Sequence, residues 1–328
     1  MLTLTIIESM KSVAVASPPA PDAAAIIVCR QITRRSLLLL LSSAGAFVAP
    51  AMHASPRSIR RSAAADVLAP APAGSVTVEA DADAVGKAVW ARVEAAAKRA
   101  IDERGRFALA IPGGSVLKML EGTAPAWAAN TLVAYVNHKA VPMDDANLAT
   151  HAKAMAGFLG EWEGAEVVAL EGTSDCVAEA CRYAEILELA DVAMLPKNMD
   201  EDGACDGDEP CLPVFDMMLV GVGDDGHIGS LYPDRDEVLD DYAWVLPVEM
   251  KDPGSITLSF PVIANAREVV IAACGVSEKY PQGKSAAMVR AVEAPETLRS
   301  FPAAGLRDVA TYVFDEAAAS KLDAKYRS

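Results

Sequence analysis

FDMMLVGVGDDGHIGSLYP, residues 215–233, runs from an apolar segment into a glycine-rich turn that carries Asp225 and His227. In Met-Met-Leu-Val-Gly-Val, residues 217–222, no side chain is polar. Both faces of a strand there can be buried, as in the middle of a parallel sheet. Gly221, Gly223 and Gly226 then allow the chain to reverse at the carboxyl end of the sheet and lift Asp225 and His227 into the open. A carboxylate two residues from an imidazole is a candidate base with its orienting partner. The alternative is an ordinary Asp-Asp-Gly turn whose histidine caps a helix. The same glycines spell the dinucleotide fingerprint, with Asp241 at a suitable distance. That reading requires a sizeable helix straight after the turn, and Pro233 would break one.

Working outward, residues 268–274, 107–111 and 131–136 read as further buried strands, 76–79 and 167–170 as shorter ones, and 308–313 as the last. Helices are expected at 82–104, 116–121, 151–159, 175–189, 261–266, 285–292 and 315–322. The first buries Val85, Val89, Val93, Ala96, Ala97 and Ala100 and stops at Gly105; the 175–189 helix buries Val177, Cys181, Ala184, Ile186 and Leu187. Residues 244–248 and 255–259 read as short strands. Strands alternate with helices throughout, which predicts an α/β fold of three layers, Rossmann-like, with a largely parallel sheet and helices on both faces.

Gly113-Gly114-Ser115 follows the strand 107–111 and precedes a helix, so it can point backbone N–H groups and a hydroxyl at an anion. An unliganded tight turn is the alternative. Lys139 at the end of the strand 131–136, and Lys279 or Lys284 after the strand 268–274, are candidate phosphate contacts; each could equally be a solvated charge. His138, Asp144 and Asp145 could equally be site residues or solvated loop residues, the loop being the better reading for the two aspartates.

The chain has 328 residues, 29 basic and 45 acidic; seven basic and two acidic residues precede Asp66, leaving an excess of 21 negative charges behind the leader. Such a body repels phosphate backbones, which argues against nucleic acid as a partner, and an anionic substrate needs a local basic patch. The six cysteines form no C-x-x-C and no zinc spacing, which predicts no disulfide scaffold and no metal; Cys205 and Cys211, around the acidic loop 200–210, read as free thiols, with a redox-labile pair as the alternative.

Arg34-Arg35-Ser36, the leucine run 37–41 and the small residues 42–46 have the three regions of a signal peptide, so residues 1–46 are expected to be an extension and signal peptide. The apolar run is too short for a stable membrane span. Residues 47–68 have transit-peptide composition, and 69–328 are expected to be a single catalytic domain. The order of the two leader segments, with Ala-Phe-Val-Ala-Pro at 46–50, resembles the bipartite leaders of algae with complex plastids. An ordinary secretory signal, a twin-arginine signal and a misplaced start are the alternatives.

With these pieces in order, the chain resembles the 6-phosphogluconolactonases of the glucosamine-6-phosphate isomerase/6-phosphogluconolactonase superfamily. The carriers are Gly113-Gly114-Ser115, Val141-Pro142, the run from Gly221 to His227 with Ser230-Leu231-Tyr232-Pro233, Ile256-Thr257-Leu258, and the segment 275–284. The resemblance implies hydrolysis of 6-phospho-D-glucono-1,5-lactone to 6-phosphogluconate without a cofactor, the sugar-phosphate lactone being the small-molecule partner. By this similarity His227 would deprotonate water and Asp225 would orient the imidazole. Gly113, Gly114 and Ser115 would hold the phosphate with Lys139, Lys279 or Lys284. These motifs carry no information on oligomeric state. Two positions depart from the lactonase pattern: Asn137-His138-Lys139 stands where Asp-Glu-Arg is usual, and Ser255 where an arginine is usual. Deaminases of the fold tend to continue Gly-His-Ile-Gly with Phe-Asn-Glu-Pro, and this chain has no glutamate there. A weakly active sugar-phosphate-binding homologue is the third reading.

Overall fold

The computed structural model describes residues 66–199, 211–276 and 283–327. The expected signal peptide, most of the transit-like segment, the acidic loop 200–210, Cys205 and Lys279 lie outside these residues. In chain order the elements are β1 (Val76–Glu79), α1 (Ala82–Arg104), β2 (Phe107–Ile111), β3 (Thr131–Tyr135), β4 (Asn137–Lys139), α2 (Thr150–Gly157), β5 (Glu166–Val167), α3 (Cys176–Leu189), β6 (Met217–Val220), β7 (Val245–Val248), β8 (Ser255–Leu258), α4 (Phe260–Ala264), β9 (Val269–Ala273), α5 (Ser285–Val292), β10 (Ala310–Asp315) and α6 (Glu316–Ala319).

Among the described residues, seven strands form one sheet in the order β1-β10-β9-β6-β2-β3-β5, with every neighbouring pair parallel. Every residue of β2, β3, β6 and β9 is buried, as a sheet covered on both faces requires. α1 begins at Asp81, whose carboxylate accepts the Ala84 N–H at 2.8 Å, and ends at Gly105 in the left-handed region. Its buried stripe is the expected one, Val85 through Ala100. No helix among the described residues is long and apolar enough to cross a membrane.

The first difference from expectation comes after β3. Val136 donates its N–H to Ile111 in the large sheet and accepts from Leu258 in another, both at 2.8 Å. The chain therefore changes sheets at one residue, and Asn137–Lys139, expected as a loop, becomes the edge of a three-stranded antiparallel sheet, β4-β8-β7. His138, for which a solvated loop position was one of two alternatives, is fully buried there. The second difference is at 116–121, where a 3-10 helix, Ser115–Leu120, replaces the expected α-helix. The segment is bounded by Gly114 and Gly122, both at positive φ, which leaves room for little more than two i→i+3 turns.

The third concerns α3, capped by Asp175. Its buried side carries Cys176, Glu179, Ala180, Tyr183 and Leu187; of the expected set only Leu187 is fully buried, and Ile186 is 42% exposed. Polar tips hid the true stripe. The Tyr183 hydroxyl accepts the Tyr135 N–H at 2.6 Å, and the Glu179 carboxylate accepts the N–H groups of Glu171 and Thr173 at 3.1 and 2.6 Å. A buried polar group costs little once paired in this way. Cys211, expected as a free thiol, is disulfide-bonded, as is Cys181, because spacing along the chain does not report which sulfurs meet in space.

Around the rim, Arg307 is only 2% exposed and its guanidinium donates to the carbonyls of Leu68, Ala69, Arg290, Ala291 and Ala294. It ties the segment before β1 to the end of α5. Arg307→Leu keeps the bulk and strands those acceptors, so the urea midpoint should fall by the equivalent of about 1.5–3 kcal/mol; an unchanged midpoint would contradict this role.

Candidate active site

β2 and β6 are neighbours in the sheet, with Leu109 opposite Met217 and Ala110 opposite Met218. Their carboxyl ends therefore lie side by side, and the next strands of this sheet in chain order, β3 after β2 and β9 after β6, lie on opposite sides. This is a topological switch point, where open α/β sheets place their ligands. Gly113-Gly114-Ser115 leaves β2 and the Gly221–Gly226 turn leaves β6.

The second turn is closed by its own backbone: Gly223 N–H donates to His227 O at 2.9 Å and Gly226 N–H to Gly223 O at 3.1 Å. His227 Nδ1 and Asp225 Oδ1 are 2.6 Å apart, and the His227 backbone N–H donates to the same oxygen at 3.1 Å. A Cβ on Gly223 would lie 2.1 Å from His227 Nδ1 and 2.5 Å from Asp225 Oδ1, so only glycine lets the pair close across it. Gly226 has φ +93 and faces the Phe301 ring at 2.4 Å from the place of a Cβ. After it Ile228 bridges to Leu231, and the next helical turn begins at Asp236. No helix N-terminus follows the glycines, which removes the dinucleotide reading.

Burial pushes the Asp225 carboxyl up, but the His227 N–H, the imidazole's charge and the side-chain hydrogen bond together hold it below the usual carboxylate range. An ionised Asp225 accepts the Nδ1 proton, which leaves the lone pair on Nε2. The imidazole lies against the Tyr232 ring, centroids 4.7 Å apart, and the Lys251 ammonium sits 4.0 Å from the centre of that ring. Neither Tyr232 nor Lys251 had been singled out for the site. Tyr232 could have been found from its place on the hairpin after His227, whereas Lys251 comes from the loop before β8 and carries no local signal.

The candidate phosphate contacts are placed unequally. Lys284 is 6% exposed and its Nζ donates to Val222 O at 2.8 Å, directly behind the histidine turn. Lys139 is exposed at the end of β4, paired in register with Ser255. Lys279 lies outside the described residues. The Gly113 N–H donates to Asn137 Oδ1 at 3.3 Å, and Asn137 Nδ2 to Ser230 Oγ at 3.2 Å. Ser255 Oγ reaches the same Ser230 Oγ at 3.1 Å. The two departures at Asn137 and Ser255 thus meet at one serine, and both are neutral.

A cavity of about 600 Å³ borders Gly114, between the 115–120 turn and α2, with Lys118 and Lys153 on its two walls. Both lysines went unmarked in the sequence, although each lies within a few residues of the start of a helical segment flanking the turn. Among the described residues, no group of three or more His, Cys, Asp or Glu is arranged to hold a metal ion.

A family model described as glucosamine-6-phosphate isomerases/6-phosphogluconolactonase matches residues 80–313. The chain belongs to this family. A probable 6-phosphogluconolactonase of Schizosaccharomyces pombe is 29% identical over 219 residues, 62% of this chain and 80% of that protein. A chloroplastic 6-phosphogluconolactonase of Arabidopsis thaliana is 27% identical over 234 residues, 67% of this chain and 66% of that protein. The 6-phosphogluconolactonase of Leishmania guyanensis shares the fold, with a TM-score of 0.61 and 22% identity over 76% of this chain and 98% of its own. The α/β architecture of this family member is therefore the expected one.

Because the Asp225 carboxyl titrates below its ordinary value of about 3.9, the stability that it lends is present above that pH and lost as pH falls through the lowered value. The difference in Tm between the wild type and Asp225→Asn should shrink from about pH 6 to about pH 3. A difference that stays constant over that range would show that the carboxylate is not held ionised by His227.

Proposed function

We propose that the protein hydrolyses 6-phospho-D-glucono-1,5-lactone to 6-phosphogluconate, with His227 as the general base. The observation that carries this reading is the 2.6 Å pair of His227 and Asp225 at the carboxyl end of β6, where the two glycine turns converge. Asp225 holds the Nδ1–H tautomer, so Nε2 can take a proton from a water that attacks the lactone carbonyl carbon. The tetrahedral intermediate collapses by breaking its bond to the ring oxygen, which receives the proton back from the imidazolium. The product is an open-chain hydroxy acid that ionises to the carboxylate. A positioned base of this kind is worth about 10²–10⁴-fold, and fixed donors near the developing oxyanion add to it.

The phosphate is assigned to the turn Gly113-Gly114-Ser115 and to lysines at the same end of the sheet. Gly114, Ser115 and Lys284 are the central contacts, with Lys139 and Lys279 as further ones. Gly113 contributes by fixing the turn, since its N–H is engaged by Asn137. In a body so rich in acids, a buried lysine behind the histidine turn supplies a fixed positive charge for an anion. Ser230-Leu231-Tyr232-Pro233, with no glutamate, favours the lactonase over a deaminase or isomerase. The neutral Asn137–Ser230–Ser255 cluster favours a second reading, a sugar-phosphate binder of low turnover.

The purified protein should hydrolyse the lactone faster than its spontaneous rate, and His227→Ala should lower kcat/KM by about 10²–10⁴-fold. No acceleration by the wild type sinks the lactonase; a fully active mutant sinks only the base. Release of ammonia from glucosamine 6-phosphate would move the assignment to the deaminases. We assign the protein to a plastid, supported by the chloroplastic relative and the bipartite composition of the leader. A reporter fused to residues 1–68 should enter the plastid of an alga with complex plastids, and its secretion would overturn that.

A further inference from the structure

His138 takes no part in the chemistry just described, yet it is fully buried and both ring nitrogens are engaged by backbone. Nδ1 lies 2.7 Å from the Lys139 carbonyl oxygen, and Nε2 receives the His151 backbone N–H at 3.1 Å. A carbonyl can only accept and an amide N–H can only donate. The ring is therefore neutral, with its proton on Nδ1.

The His151 N–H is one of the orphan donors at the start of α2. The residue in the N-cap position is Ala149, and no side chain of the helix's own segment caps it. An imidazole from β4 does so instead. What the helix start holds in place is close to the site. Thr150 Oγ1 lies 3.1 Å from where a Cβ on Gly113 would be, and Lys153 and Ala156 of the same helix line the cavity beside Gly114.

We propose that His138 is a positioning residue that fixes α2 against the Gly113–Ser115 turn while it is neutral and releases that wall of the site when it is protonated. Protonation would place a hydrogen on Nε2 facing the His151 N–H, so the cap would be lost and replaced by repulsion. Burial sets the ring below the ordinary histidine value; the Lys139 carbonyl pulls it up, the His151 imidazole pushes it down, Glu179 on α3 pulls it up and Lys153 on α2 pushes it down. The neighbouring β3 presents Tyr135, whose ring centroid is 5.3 Å away and whose hydroxyl lies 2.7 Å from His151 Nδ1. With its pKa lowered on folding, His138 contributes stability that is present above about pH 6.5 and fades as pH falls through the lowered value.

The consequence for substrate is a KM that rises in acid through this residue, and this part rests on the lactonase reading. The experiment pairs amide hydrogen exchange of residues 151–154 with kinetics on 6-phosphogluconolactone, for the wild type, His138→Leu and His138→Gln. Corrected for intrinsic rates, those amides should be protected at pH 7.5 and lose protection in the wild type as the pH is lowered stepwise below about 6.5, through the lowered value of the ring. They should be poorly protected at every pH in His138→Leu and protected throughout in His138→Gln, whose amide oxygen can accept without titrating. KM should rise about fivefold in His138→Leu at pH 7.5, the size of a lost cap, with kcat within about twofold. His138→Gln should abolish the rise of KM in acid. Protection that ignores pH in the wild type, or persists in His138→Leu, overturns the proposal; altered protection with an unchanged KM overturns its link to the site. The exchange pattern appearing in a protein that hydrolyses no lactone supports the cap and counts against the lactonase reading alone.

Discussion

The hydrogen-bonded pairing of β2 with β6 is the constraint from which the site follows. Adjacent strands lie about 4.8 Å apart, so whatever leaves their carboxyl ends must meet. One end delivers Gly113-Gly114-Ser115, and the other delivers Asp225 and His227. Gly221 shows how near the two turns come, since a Cβ there would touch Val116 at 3.5 Å. Neither turn has to be long or ordered by a ligand. The sheet carries them to one another, and small residues keep side chains out of the way.

Around that constraint the protein spends its few cations sparingly. Lys284 is buried behind the histidine turn and held by the Val222 carbonyl, so its position is fixed by the protein itself. Asn137 and Ser255 stand where the lactonase pattern has an acid and an arginine, and both converge on Ser230. A cluster of neutral groups holds no buried charge that needs a partner. The two departures are thus joined through one side chain, Ser230.

Much of this was legible in the sequence because period and turn chemistry are local properties. The stripe Val85–Val89–Val93–Ala96–Ala100 and the all-apolar β2, β6 and β9 need nothing beyond their own residues, and the Gly223–Asp225–His227 spacing encodes its own geometry. What stayed hidden depends on partners far along the chain. Tyr183 and Glu179 are buried because Tyr135, Glu171 and Thr173 satisfy them, which no hydropathy pattern within α3 records. The place of His138 was open between a site and a loop because its burial depends on pairing beside Ile256 of β8, and its Nε2 partner is the distant His151 N–H of α2. The cavity lysines, Lys118 and Lys153, become neighbours only when α2 packs beside the 115–120 turn.

The register of β1 has a consequence for the order in which this molecule comes together. β1 pairs with β10, Val76 opposite Tyr312, so among the described strands the first in the chain has the last as its neighbour. Contacts of such long range are slow to form, because nearly the whole polypeptide must be looped before they are gained. The sheet therefore cannot be finished during synthesis, and β1 waits until the C-terminal strand emerges.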